Sequence, residues 1–387
     1  MSYIERAVTE VVNGLKLLFV FTGGTIGSTV SGEYISTDEN KPYKLIEAYN
    51  NKYGLDHAYD VMTPYTELSE QNTGETISKL VECIYDVQNE NDLPVEPEDN
   101  SDNNIETKHR KYDGIIVTHG TDTLPYSAAA LSYALGNACI PVCIVSSNYP
   151  IEDERANGVD NLHGAIRLIE AAYEWECGNR IDSVSNNTDL NKKEYQREDI
   201  SGVFVSYRNH DGVTSIHRAT RLLETSAFSD EYFSVRNEYY GKIVEDVFEK
   251  NVDYREGNDE LEPLGAVRLS AVCDGIARYH LYPGIRLCRE KASYILLESF
   301  HSGTMNTKLE DYQKFFEKMH EEGVPVYLTG IRRGISYEST SLYEKLNIKP
   351  IYDIAPVAAY MKLWMLYAAG RECNEGVLNT PLGGDFS

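Results

Sequence analysis

The sequence predicts an α/β protein of two domains, a larger N-terminal one with a mostly parallel sheet flanked by helices and a smaller C-terminal one. Three observations carry this expectation. Short β-branched runs recur along the chain, most of them separated by helical patterns such as residues 127–135 and 309–319, and this alternation implies a parallel sheet covered on both faces. The 387 residues, 42% of them hydrophobic, exceed one ordinary core. Two of the runs also end directly in loops rich in glycine and hydroxyl groups, the place where parallel α/β sheets carry their chemistry.

Taken in order, residues 17–21 (Leu-Leu-Phe-Val-Phe) form the first expected strand, and Thr-Gly-Gly-Thr-Ile-Gly follows at 22–27. The stretch 86–111 is rich in Asn, Asp, Glu and Pro, cannot supply a core, and reads as a surface insertion. Residues 114–117 (Gly-Ile-Ile-Val) form a second strand, followed by His119-Gly120-Thr121-Asp122-Thr123. Further strands are expected at 141–145, 202–205, 294–297 and 324–328. The acidic stretch from about 240 to 262 lacks sustained periodicity and reads as a linker, which divides the chain into 1–240, a linker at 241–272, and 273–387. The closing helix, 356–369, has Pro356 at its first position and Gly370 just past its end. It is apolar nearly all round, which places it in a core or an interface.

Composition excludes several classes of function. A net charge of −25 argues against nucleic acid and anionic membrane surfaces as partners. The apolar stretch 15–21 is interrupted by Lys16 and preceded by Glu5 and Glu10. It falls far short of the roughly 20 residues that cross a bilayer, so it reads as a strand and neither as a membrane span nor as a secretory signal. Seven cysteines without a Cys-x-x-Cys pair point to a reducing cytoplasm, with Cys139 and Cys143 as core residues. His119 has no companions at metal-ligand spacing and reads as structural, so neither metal nor cofactor is expected.

Brought together, the two loops offer the hydroxyls of Thr25 and Thr121, the Asp122 carboxylate, and backbone N–H groups at Gly24 and Gly120. That is an inventory for attack on an amide carbonyl by a threonine whose oxyanion is held by backbone donors. Thr25 is the candidate nucleophile. A threonine hydroxyl is nearly inert unless a neighbour takes its proton or stabilises the alkoxide. Each residue also has a plainer reading. A Gly-Gly turn serves backbone geometry, Asp122 fits a cap for the helix that follows, Tyr34 fits a packing tyrosine, and Ser69-Glu70 before a helical segment fits a capping sequence.

In both threonine loops and their strand contexts, the chain resembles the L-asparaginase/glutaminase amidohydrolases, especially the bacterial cytoplasmic type I enzymes. The likeness extends to Gly32-Glu33-Tyr34-Ile35 (a mobile flap), Leu68-Ser69-Glu70-Gln71-Asn72 (a substrate-clamping loop), Asn161-Leu162, and Tyr352-Asp353-Ile354-Ala355-Pro356 before the last long helix. The resemblance implies a flavodoxin-like C-terminal domain and a homodimer or homotetramer. Thr25 and Tyr34 would act together, with Thr121 as the second catalytic threonine. Asp122 would fix the substrate α-ammonium, and Ser69 and Glu70 would hold its α-carboxylate and α-amino group.

The sequence departs from that pattern at two places. Arg221 in Arg218-Ala219-Thr220-Arg221 occupies a slot where the family has a lysine working with Thr121 and Asp122, and Thr304 replaces an asparagine used across a subunit interface. Arginine stays protonated, so in this slot it can supply positive charge but cannot accept a proton. The function expected is hydrolysis of L-asparagine to L-aspartate and ammonia through an acyl-threonine. The alternatives are an amidohydrolase for a larger asparaginyl or glutaminyl amide, and a non-catalytic sensor of Asp or Asn.

Overall fold

Continuous apolar runs at 17–21, 115–117, 142–145 and 203–205 bury both faces of their strands. The computed structural model describes residues 14–24, 26, 28–31, 34–37, 42–91, 110–185, 200–255, 257–289, 291–334 and 337–386. In chain order the first unit contains β1 (Lys16–Phe21), β2 (Ser28–Ser31), β3 (Tyr34–Thr37), α1 (Pro42–Tyr53), β4 (Ala58–Met62) and α2 (Gly74–Asn91). It continues with β5 (Gly114–Thr118), α3 (Leu124–Leu135), β6 (Val142–Val145), α4 (Gly158–Ser185), β7 (Val203–Arg208), β8 (Thr214–Arg218), β9 (Gly241–Val244) and β10 (Val247–Lys250). The remainder is β11 (Ile276–His280), β12 (Tyr294–Glu298), α5 (Glu310–Glu321), β13 (Val326–Ile331), β14 (Ile348–Tyr352), α6 (Pro356–Ala368) and the short α7 (Glu375–Leu378).

The large sheet has eight strands in the order β10-β9-β8-β7-β6-β5-β1-β4, parallel from β4 through β7 and antiparallel beyond. A four-stranded sheet, β11-β12-β13-β14, is parallel throughout. The two-residue side-chain period divides the strands cleanly. Leu18, Val20, Ile115, Val117, Val142, Ile144, Val203 and Val205 pack on α2 and α3. Leu17, Phe19, Ile116, Cys143, Val145 and Phe204 face Leu45 and Tyr49 of α1 and Leu162, Ile166 and Ile169 of α4. The fold is thus α/β, with a large, mostly parallel sheet flanked by helices.

Two expectations need correction. The surface insertion does not begin at residue 86: α2 runs to Asn91, and residues 92–109 lie outside the described residues. Its polar last turns are buried because they satisfy backbone groups, with Gln88 donating to the Ile140 carbonyl at 3.2 Å, and Asn91 accepting from Tyr112 N–H at 2.8 Å and donating to its carbonyl at 3.0 Å. Residues 241–250 are not linker but β9 and β10, a hairpin turned by Glu245 and Asp246, both at positive φ. A hairpin turn of that type usually carries Asn-Gly or Asp-Gly, so Glu-Asp hides it, and its apolar payload is sparse: Tyr240 stacks on Phe248 and meets Phe204 and Tyr254. We propose that the division between the units falls between Lys250 and Ile276. For α6, whose all-round apolarity left a core or an interface open, the structure decides for the core. It is buried within this chain, against α3 on one side and the second sheet on the other, with Leu363, Met365 and Leu366 in the same cluster as Leu131, Leu296 and Tyr327.

His217, on β8, is buried with Nδ1 2.8 Å from Ser234 Oγ, and burial lowers its pKa to about 4. The unfolded chain takes up that proton near 6.5 and the folded chain only near 4, so stability is present above 6.5 and lost as pH falls towards 4. At about 1.4 kcal/mol per pH unit the group accounts for about 3 kcal/mol. Urea unfolding midpoints should therefore fall between pH 7 and pH 4, and fall less steeply in His217→Asn.

Candidate active site

The register of the large sheet brings the loops to one edge. Phe21 pairs with Thr118, Thr118 with Val145, and Val145 with Ser206, so β1, β5 and β6 end level, β7 runs on to Arg208, and their loops emerge on one edge. The turn after β1 then touches the turn after β5. Gly24 lies at φ +76, and a Cβ there would sit 2.4 Å from the Gly120 N and Cα. Gly120 in turn has no room for a Cβ, which would come within 2.4 Å of Ser69 Oγ. Two backbones and a serine hydroxyl meet with nothing between them.

Hydrogen bonds hold this contact. Glu67 N–H donates to the Thr22 carbonyl (3.1 Å), Gly24 N–H donates to the Glu67 carbonyl (2.9 Å), and Thr22 Oγ1 donates to the Thr118 carbonyl (2.7 Å). Ser69, 3% exposed, donates from Oγ to Asp122 Oδ2 at 3.0 Å and accepts from Asp122 N–H at 3.2 Å. Thr123 Oγ1 donates to the Ser69 carbonyl at 3.1 Å, and Asn72 donates to Thr123 Oγ1 at 3.1 Å. His119 is fully buried, with Nδ1 2.7 Å from the Gly120 carbonyl and Nε2 3.4 Å from Asn72 Nδ2. Desolvation lowers its pKa, so it stays neutral and serves as a bracket between the Gly120 loop and the Ser69 loop.

The structure therefore gathers Gly24, Gly120, Thr121, Asp122, Ser69 and Glu70 at one edge. Asp122 is exposed, Thr121 half-buried, and Glu70 exposed on the 3₁₀ turn Ser69–Gln71. Asp122 does not cap α3, whose N-cap is Thr123, and Ser69 does not cap α2, where Thr73 Oγ1 accepts from Thr76 N–H at 3.3 Å. Thr25 lies outside the described residues, as do Gly32 and Glu33 of the expected flap. Tyr34 opens β3, whose partner β2 runs antiparallel to it with Ser31 opposite Tyr34. Asn161 bridges the ends of β6 and β7, donating to the Ser146 carbonyl (2.8 Å) and accepting from Arg208 N–H (2.7 Å). Among the described residues no cluster of His, Cys, Asp and Glu is arranged to hold a metal ion.

Arg221 is not part of this site. β8 runs antiparallel to β7, with Arg218 opposite Phe204, so the segment after it emerges at the other end of the sheet. There Arg221 is fully buried. It donates to the carbonyls of Gly384 (2.9 Å), Arg255 (2.8 Å) and Phe386, and lies 4.5 Å from the centroid of the Tyr254 ring. The neighbouring Asp385 accepts from Tyr133 near the far end of α3, roughly 15 Å along that helix from Thr123 at 1.5 Å per residue. A short hairpin reversal, invisible in a linear motif match, separates this arginine from Asp122.

Two residues not singled out from the sequence shape the site. Glu67 supplies the backbone bridge to Gly23 and Gly24, and Tyr232 donates its phenol to the Thr121 carbonyl at 2.5 Å from a loop 111 residues away in sequence. Glu67 sits one residue before the Leu68–Asn72 motif and was within reach. Tyr232, one of 29 tyrosines, carries no local signal.

Comparison with known proteins places this geometry. Residues 16–178 match the family described as Asparaginase, N-terminal, a span that contains β1, the Ser69 turn and the Thr121-Asp122 turn. Across residues 16–178 the chain carries an asparaginase-family domain. It is 26% identical over 337 residues to a glutamyl-tRNA(Gln) amidotransferase subunit of Methanobrevibacter smithii, covering 79% of this chain and 66% of that one. It is 24% identical over 281 residues to an L-asparaginase of Dirofilaria immitis, covering 70% and 42%. The matches thus span two thirds or less of these relatives' own lengths. The thermostable L-asparaginase from Thermococcus kodakarensis superposes with a TM-score of 0.69 over 96% of this chain and 99% of that one, at 18% identity. A probable cytoplasmic L-asparaginase from Campylobacter jejuni gives 0.64 over 94% and 98%, at 17%. At such identities the asparaginase likeness of these structures speaks for the fold.

Arg221, beyond the span that matches the family model, should therefore matter for stability and not for turnover. Arg221→Met orphans buried carbonyls at about 1–3 kcal/mol each. Its thermal midpoint should fall by several degrees, while kcat and KM per folded molecule stay at the parental values.

Proposed function

We propose that the chain is an amidohydrolase that converts L-asparagine to L-aspartate and ammonia. The observation that carries this reading is the convergence of Gly24, Gly120, Ser69 and the Thr121-Asp122 turn at one sheet edge. In this reading the Thr25 hydroxyl oxygen attacks the side-chain amide carbon, and Tyr34 assists removal of its proton. The carbonyl oxygen gains the negative charge, which backbone N–H groups of the Gly120 turn stabilise, that of Gly24 being held by the Glu67 carbonyl; one such donor is worth about 2.7–4 kcal/mol. The C–N bond breaks, ammonia leaves with the proton, and water cleaves the acyl-threonine ester to release aspartate. Asp122 pairs with the α-ammonium, the charge-assisted contact a primary ammonium requires. Ser69, already bonded to Asp122, and Glu70 face the α-carboxylate and α-amino group. Thr121 supplies the second hydroxyl. Arg221 has no part in this scheme.

A second reading follows from the amidotransferase relative: an amidohydrolase that draws ammonia from a larger glutaminyl amide. The net charge of −25 disfavours direct contact with nucleic acid. Assembly as a homodimer or homotetramer is part of the proposal through the family resemblance alone, now that α6 is accounted for within the chain, and light scattering checks it. A cytoplasmic setting is proposed from cysteine usage. Among the described residues, no helix is long and apolar enough to cross a membrane.

Ammonia release from L-asparagine, L-glutamine and a β-aspartyl amide, measured side by side, separates these readings. Asparagine should be fastest; release only from the larger amides favours the second reading, and none at all favours a sensor of Asp or Asn. Thr25→Ala should lose at least about 10³-fold in kcat, the scale of nucleophile removal, while still binding substrate. Asp122→Asn should raise KM about 10- to 100-fold, matching a hydrogen bond between charged groups. Near-parental turnover in Thr25→Ala would pass the nucleophile's role to Thr121.

A further inference from the structure

We infer that Tyr232 is a positioning residue for the Asp122 carboxylate, acting through the peptide that joins Thr121 to Asp122; the inference rests on the amidohydrolase reading above. The phenol donates to the Thr121 carbonyl at 2.5 Å, an acceptor it shares only with a long 3.4 Å contact from Leu124 N–H in the described structure. The N–H of the same peptide, that of Asp122, donates to Ser69 Oγ at 3.2 Å. Ser69 Oγ returns its own proton to Asp122 Oδ2 at 3.0 Å. The chain from Tyr232 through one peptide group to Ser69 and back to the Asp122 side chain therefore sets both the rotation of that peptide and the direction of the carboxylate. Hydrogen bonds linked in this way polarise one another.

The donor is held firmly. Tyr232 is 1% exposed, and the Asn209 side chain clamps both of its backbone groups, accepting from its N–H at 3.0 Å and donating to its carbonyl at 2.8 Å. Asn209 sits in the β7–β8 turn, and Tyr207, on β7, meets the Tyr232 ring edge-on at 4.7 Å between centroids. The Tyr207 hydroxyl donates to the Asp230 carbonyl at 2.7 Å, fixing the segment that delivers Tyr232. Burial first, then the charges of Tyr207 and Asp122, raise the phenol's pKa far above the usual tyrosine range. It remains a donor at every working pH and takes no part in proton transfer. A cavity of about 320 Å³ has Asn148, Asn209, His210 and Asp230 among its lining residues, so the clamp borders open space.

The test uses Tyr232→Phe, which keeps the ring and removes the donor, in the full chain. L-Aspartate affinity by calorimetry should weaken about fivefold, the worth of one neutral hydrogen bond, and KM for asparagine should rise in step with it. The double variant Asp122→Ala/Tyr232→Phe should bind no more weakly than Asp122→Ala alone, because the link then ends on nothing. A purely structural tyrosine would instead lower the thermal midpoint and leave affinity per folded molecule at the parental value, which overturns the inference. Equal additional losses in the presence and absence of Asp122 overturn it as well. A parent that binds L-aspartate but hydrolyses no amide removes the hydrolase reading, while the affinity comparison still decides the role of Tyr232. An active parent with unchanged affinity in Tyr232→Phe removes only Tyr232. A parent that neither binds nor hydrolyses overturns both.

Discussion

The contact between Gly24 and Gly120 is the constraint on which the rest of the site depends. Parallel pairing of β1 with β5 makes their ends level, but level ends place loops side by side without making them touch. Contact requires that neither turn carry a side chain at the meeting point, and the added Cβ at either position would fall 2.4 Å from its neighbour. The site is consequently assembled from backbone groups and short hydroxyl side chains. Ser69 fits against Gly120 because a hydroxyl is small enough, and it then lies within hydrogen-bonding distance of Asp122. A buried neutral histidine, His119, ties the Gly120 loop to the Ser69 loop without adding charge near the carboxylate.

The opposite end of α3 has a different chemistry. There Lys362 and Asp385, both fully buried, lie 2.7 Å apart, with Lys362 also donating to the Thr380 carbonyl. Burial raises the Asp385 pKa while Lys362 and Tyr133 oppose that shift. Such a pair adds little net stability over apolar packing, yet loss of one partner costs about 3–5 kcal/mol. Arg221 and Thr220 hold the same tail through its carbonyls. The helix thus has the candidate site at its amino end and a structural carboxyl end, and α6 packed along it joins the two sheets through one continuous core.

Much of this was legible before folding. The alternation of β1, β5, β6 and β7, the two glycine-hydroxyl turns and the Ser69 loop are local patterns, and local patterns survive folding when burial agrees with them. What was misread lacked a local signal or carried a misleading one. Asn91 and Gln88 looked like solvent-facing polar residues because the backbone groups they satisfy come from residues 112 and 140. The Glu245-Asp246 turn concealed a hairpin, and for the apolar α6 the choice between core and interface stayed open because its intrachain partner was unknown.

By itself the sequence determined the α/β class, the strands that carry the loops, and the residue types that could meet there, since two- and 3.6-residue periodicities follow from the covalent chain. Only the tertiary structure decided which of those residues meet. A single reversal between β7 and β8 sends Arg221 to the far end of the sheet, and a loop more than a hundred residues downstream of Thr121 delivers Tyr232 to it. The physical reason is that strand direction and loop return are set by pairing across the sheet, which no short stretch of sequence encodes.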